Sequence, residues 1–105
     1  MQKELQPTKY FAEFVGTLLL TLGVLATATS SQGLSLPLYA GLFLGVLVYI
    51  FGGISGGHLN PAVTIGMLSI KKINLTNAIA YIVAQFLGGL VAYLIATIFV
   101  KADLV

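Results

Sequence analysis

The stretch from Phe14 to Ala28 carries no charge and is apolar except for Thr17, Thr21 and Thr27. With its flanks, from Tyr10 to Ser31, it reaches roughly 20 residues, enough for a helix to cross about 30 Å of hydrocarbon. A leader peptide would use Lys3 and Lys9 as its basic region and Ala26-Thr27-Ala28 as a cleavage site. Glu13 stands where a leader's apolar region should begin, and the later segments are just as apolar. The whole chain is 58% hydrophobic and 8% charged over 105 residues. That is too little charge to coat a soluble domain, so the lipid bilayer is the expected solvent.

Gln32 to Pro37, with Gly33, Ser35 and a proline, predicts a turn. The first span is placed at 10–31 and a second, short and uncharged, at 36–52. Within the second, Gly41-Leu42-Phe43-Leu44-Gly45 is a small-xxx-small pattern that favours close helix approach. Gly52 to Leu59 holds four glycines in eight residues, and such a stretch does not favour helix. A loop is therefore expected over 53–59. Asn60-Pro61 then reads as an N-cap followed by proline at the first helical position. The helix it opens, 60–70, stops at Lys71-Lys72 after about 10 residues, roughly 15 Å or half a bilayer. A third span is placed at 74–100. Along it Ala80, Ala84, Gly88, Ala92 and Ala96 form a smooth ridge at a spacing of four. The predicted fold class is an all-α membrane protein, a single unit over 1–105 with no internal repeat.

Unwound backbone inside hydrocarbon leaves polar groups unmet at several kcal/mol each. It persists only where protein buries it or where it lines a wet cavity, so the glycine loop points to a pore or a binding site. The bland alternative is a hairpin lying at the membrane interface. In a pore, the Asn60 amide offers donors to a passing oxygen. The helix start adds a partial charge of roughly +0.5, which opposes cations and protons. The carbonyls of Gly56, Gly57 and His58 would supply acceptors along a narrow file.

Other chemistries find little support. There is no cysteine and only one histidine, so no metal site is expected. No cofactor is implied. The five basic residues are all lysines. Read along the chain they form no patch, so nucleic acid is not an expected partner. No nucleophile–base pair or phosphate loop suggests an enzyme. Thr64, Ser55 and Ser69 read as helix and loop hydrogen-bonders.

Ser55-Gly56-Gly57-His58-Leu59-Asn60-Pro61-Ala62-Val63-Thr64 closely resembles the first Asn-Pro-Ala loop of the aquaporin, or major intrinsic protein, family. Ala12-Glu13-Phe14-Val15-Gly16-Thr17 resembles that family's first-helix motif, and Ala84-Gln85-Phe86-Leu87-Gly88-Gly89 resembles its third helix. The three stand in family order and spacing, from about Lys9 to Val100. The resemblance implies an aquaporin-like half-unit of three transmembrane helices plus one re-entrant half-helix. It implies a channel for water or small neutral solutes such as glycerol, closed to ions and protons. Asn60, Pro61 and Ala62 would then form one of two pore motifs, with Val63 following. Glu13 would brace the loop by hydrogen bonding, Gln85 would support it, and His58 would sit near the cytoplasmic mouth. The plainer readings are an interfacial carboxylate, an interhelical hydrogen bond and a packed histidine.

A complete family member has two such units in opposite orientations, and only one is present. Two copies could pair antiparallel, or the sequence is a fragment and the missing C-terminal repeat completes the pore. With the N-terminus cytoplasmic, Lys3, Lys9, Lys71 and Lys72 are inside and only Lys101 is outside. That bias favours one orientation, whereas an antiparallel homodimer needs both. The chain ends where a family member enters its central loop, which favours a fragment or a half that needs a partner half, with the homodimer still open. The resemblance also implies a higher oligomer of pores. Ala40 falls where the family often has a bulky aromatic, and no arginine is present for the filter, so the constriction is expected to be wide enough for glycerol-sized solutes. Two competitors stand beside this reading. One is a small multidrug-type proton-coupled exporter using Glu13, which would need four full helices. The other is a non-conducting membrane module.

Overall fold

The computed structural model describes residues 4–28 and 35–99, and all regular structure among them is helical. The helices are α1 (Pro7–Ala28), α2 (Leu36–Ser55), α3 (Pro61–Ser69) and α4 (Leu75–Phe99). Three of them, α1, α2 and α4, are long and apolar enough to cross a membrane. The fourth, α3, has nine residues, about 13 Å of rise. The expected end of the first span at 29–31, the turn residues 32–34, Val100, and the lysines at 3 and 101 lie outside the described residues.

At its start α2 is opened by Ser35, with a proline in its first turn. Its end differs from expectation. The helix runs through Gly52 and Gly53 to Ser55 instead of stopping at 52. Glycine in a helix costs about 1 kcal/mol, less than the several kcal/mol of a backbone group left unmet in hydrocarbon. The loop is thus shorter than 53–59. It begins at Gly56, where φ is +92° and the N–H caps Gly52 O. Gly57 follows at φ +63°, so the two glycines that break the helix are the two in left-handed conformation. Asn60 then caps α3 as its sequence predicts, with its side-chain oxygen accepting from Ala62 N.

In the middle stands α1, touching α2 on one side and α4 on the other, while α3 leans on α4. The small-residue ridge of α4 makes the tightest of these contacts. Ala84, Gly88, Ala92 and Ala96 are buried. A Cβ added at Gly88 would stand 2.4 Å from Phe14 O and 3.1 Å from Leu18 N. The backbones of α1 and α4 therefore meet where glycine leaves room. On the other flank, Gly23 receives the Phe43 ring, 2.2 Å from where a Cβ would be. The Gly41–Gly45 pattern behaves differently: among the described residues no other element comes within 4 Å of either Cβ position. The outer face of α2 is open there, with Leu42 and Val46 exposed.

Candidate functional site

The loop between α2 and α3 turns in front of α1, and one carboxylate holds it. Glu13 is fully buried. Its Oε1 accepts from Leu59 N at 2.8 Å and from Gln85 Nε2 at 2.7 Å. Its Oε2 accepts from Ser55 Oγ at 2.6 Å and from His58 N at 3.0 Å. Four donors fill the acceptor sites of an ionised carboxylate. They come from the end of α2, the loop and α4, and they offset the burial of a charge that has no cation beside it.

The neighbours extend this network. Ser55 Oγ also accepts from Gly57 N at 3.3 Å, and Tyr81 OH donates to Ser55 O at 2.7 Å. Gln85 Nε2 spends its second hydrogen on Thr64 Oγ1 at 3.0 Å. Thr64 Oγ1 stands 2.9 Å from His58 Nδ1. Thr64 Oγ1 thus bridges Gln85 and His58, with a lone pair and a hydrogen of its own to share with the imidazole. The His58 ring lies 5.0 Å from that of Tyr81. In this loop, outside the three spans, burial pushes the imidazole below its ordinary 6.5, and Glu13 pulls it back by less.

Leu59 sits at φ +54°, a left-handed conformation that costs a side-chain-bearing residue roughly 1–2 kcal/mol. Its buried side chain fills the space over Gly16, with Cδ2 2.4 Å from where a Cβ there would be. The first-helix glycine is therefore a socket for the loop. The other end of α3 is strained as well. Lys72 N donates to Met67 O at 2.8 Å and Lys71 N to Leu68 O at 3.0 Å. That is a Schellman cap, and its left-handed position, usually glycine, is held by Lys71 at φ +62°.

The structure brings Gly57, His58, Glu13 and Gln85 together, all buried. Asn60, Ala62 and Val63 form an exposed tip with half-buried Pro61 at the start of α3, and Gly56 is exposed beside the network. Ala40 is half-buried near the start of α2, roughly 23 Å along that helix from Ser55 at 1.5 Å per residue. Sequence reasoning missed Tyr81, and with it Tyr10, whose hydroxyl donates to Asn77 Oδ1. Tyr81 lies one turn before Gln85 on the face of α4 that carries Gly88 and Ala92, a spacing that could have found it.

A cavity of about 480 Å³ opens below the loop, lined by residues that include Gln6, Lys9, Lys72, His58, Asn77 and Tyr81. Lys9 and Lys72, far apart in sequence, therefore line one cavity, where the sequence showed no patch.

The profile of the Major intrinsic protein family matches residues 2–104. The chain is 47% identical over 96 residues to glycerol uptake facilitator protein-like 6 of Lactiplantibacillus plantarum, covering 90% of this chain and 44% of that protein. It is 44% identical over 92 residues to aquaporin PIP2-7 of Musa acuminata, covering 76% and 33%. It is 44% identical over 97 residues to aquaglycerol porin AQY3 of Saccharomyces cerevisiae, covering 79% and 15%. The chain thus spans less than half the length of each of these relatives.

Proposed function

Because the chain belongs to the major intrinsic protein family, an all-α, non-enzymatic family of multi-pass membrane channels, we propose that it is one half of a passive channel for water and small neutral solutes such as glycerol. A second half-unit completes the pore, either an antiparallel copy of this chain or a C-terminal inverted repeat. The observation that carries this is the exposed tip at Asn60. Its side-chain oxygen is committed to Ala62 N at 2.8 Å, which turns the amide Nδ2 outward as a donor fixed in place by the helix it caps. The carbonyls of Gly56, Gly57 and His58 supply the acceptors that follow. A water in single file exchanges its bulk hydrogen bonds for these, and the positive end of α3 repels cations and protons.

Glu13 and Gln85 act from behind, fixing a loop whose backbone would otherwise have no partner. Ala62 and Val63 face the second unit. Ala40 widens the constriction toward glycerol-sized solutes. Lys9 and Lys72 line one cavity, which supports a single cytoplasmic end holding the N-terminus. An exporter working through Glu13 is disfavoured, because that carboxylate has no exposed surface and a donor on every acceptor site.

The test joins this chain to the remainder of the Lactiplantibacillus relative in place of its matching segment. Stopped-flow shrinkage of liposomes under water and glycerol gradients then reports flux. Fast flux is expected, with loss in Asn60→Asp, whose carboxylate replaces the outward donor. A helical chimaera that unfolds cooperatively but passes neither solute would overturn the reading. Parallel liposomes with this chain alone separate the two completions: flux there means that two copies pair.

A further inference from the structure

We propose that the cavity below the loop is a binding site for a phosphate monoester, held by Lys9 and Lys72. Both lysines line it, one from the first turn of α1 and the other from the turn after α3. Among the described residues no carboxylate lines it. Of the acidic residues among those described, Glu4 lies on the exposed approach to α1, and Glu13 is sealed behind the loop by its four donors. Among the described residues neither lysine has an ion pair. Two cations in a concave, partly enclosed site without a counter-charge focus a positive potential there.

The cavity wall adds to that potential. Gln6 precedes α1 and Asn74 precedes α4, and both line the cavity, so two helix starts lie at its rim, the second capped by Asn74 Oδ1, which accepts from Asn77 N at 2.9 Å. The His58 imidazole and the Tyr81 ring line it from above, adding polar edges to the site.

A phosphate monoester fits these features: a compact dianion for two ammonium groups. It could arrive free in solution or as the headgroup of an anionic lipid, since the cavity lies at one end of the spanning helices. The site needs only the fold described above and does not depend on the channel reading.

The experiment uses the purified, isotopically labelled chain in uncharged maltoside micelles. Inorganic phosphate and short-chain phosphatidic acid are titrated separately, and amide shifts at Asn77, Tyr81 and His58 are followed by NMR. Saturable shifts at these residues are expected. Lys9→Gln and Lys72→Gln should each weaken binding about tenfold. Lys9→Arg should restore it, and Lys71→Gln, one residue from the site, should leave it unchanged. Binding of both probes identifies soluble phosphate as sufficient. Binding of phosphatidic acid alone identifies the headgroup. Absence of saturable shifts with either probe would overturn the proposal. So would an equal loss in Lys71→Gln, which would mean diffuse attraction to the micelle surface.

Discussion

Glu13 shows how much one side chain can organise when water is absent. Hydrogen bonds to a charged group contribute roughly 1.5–3 kcal/mol each. Replacing the carboxylate by an amide turns one acceptor into a donor, facing donors on both sides. Glu13→Gln is therefore expected to destabilise the chain by about 3 kcal/mol, read as a lower unfolding temperature by circular dichroism in micelles. A wild-type temperature would mean that the loop is held by its own backbone and not by the carboxylate. Lys71 offers the opposite case. Its φ of +62° is one that glycine adopts freely, so Lys71→Gly should stabilise by about 1 kcal/mol in the same melt. A destabilised variant would show that the lysine side chain contributes more than its strain costs.

At the scale of elements, α1 and α4 are joined through glycine. A methyl at Gly88 would meet the Phe14 carbonyl at 2.4 Å, and neither backbone can yield without parting the helices. Gly88→Ala should cost roughly 1–3 kcal/mol, and an unchanged melt would place the crossing elsewhere. The spacing of Ala84, Gly88, Ala92 and Ala96 made this face readable beforehand, because a ridge repeats every turn. The start of α3 was readable for a similar reason: Asn60 and Pro61 act on the next few backbone groups only. Gly52 and Gly53 misled, since their helix propensity reflects water, where a broken helix finds other partners. The Tyr10–Asn77 pair and the Tyr81 hydrogen bond to Ser55 were not readable as pairs. Their partners are 67 and 26 residues apart, and local spacing does not encode who meets whom. The Gly41–Gly45 pattern was visible, but none of the described residues packs against it.

Across the whole molecule, polarity is sorted by place. The network lies inside, the lysine cavity at one end, and broad apolar faces outside. On the proposed reading those faces meet lipid and a second half-unit, and bulk at Gly45 tells the two apart. Gly45→Leu has open space in the isolated chain, so its unfolding should change by less than about 0.5 kcal/mol. In the chimaera, where a second half lies against the first, the same change should reduce water flux. Unaltered flux would assign that face to lipid.

The carboxylate of Glu13 also sets an order of events during synthesis. It enters the membrane with the first helix, but Gln85 Nε2 comes from 72 residues further along the chain, and the loop donors from more than 40. Until those segments have emerged, the first helix carries an acidic group with no intramolecular partner, which favours its staying near the headgroups. The last latch closes only when the third spanning helix arrives. A nascent chain of this sequence is therefore built to settle late, and a ribosome stalled before residue 85 would leave its first helix shallow and open to quality control.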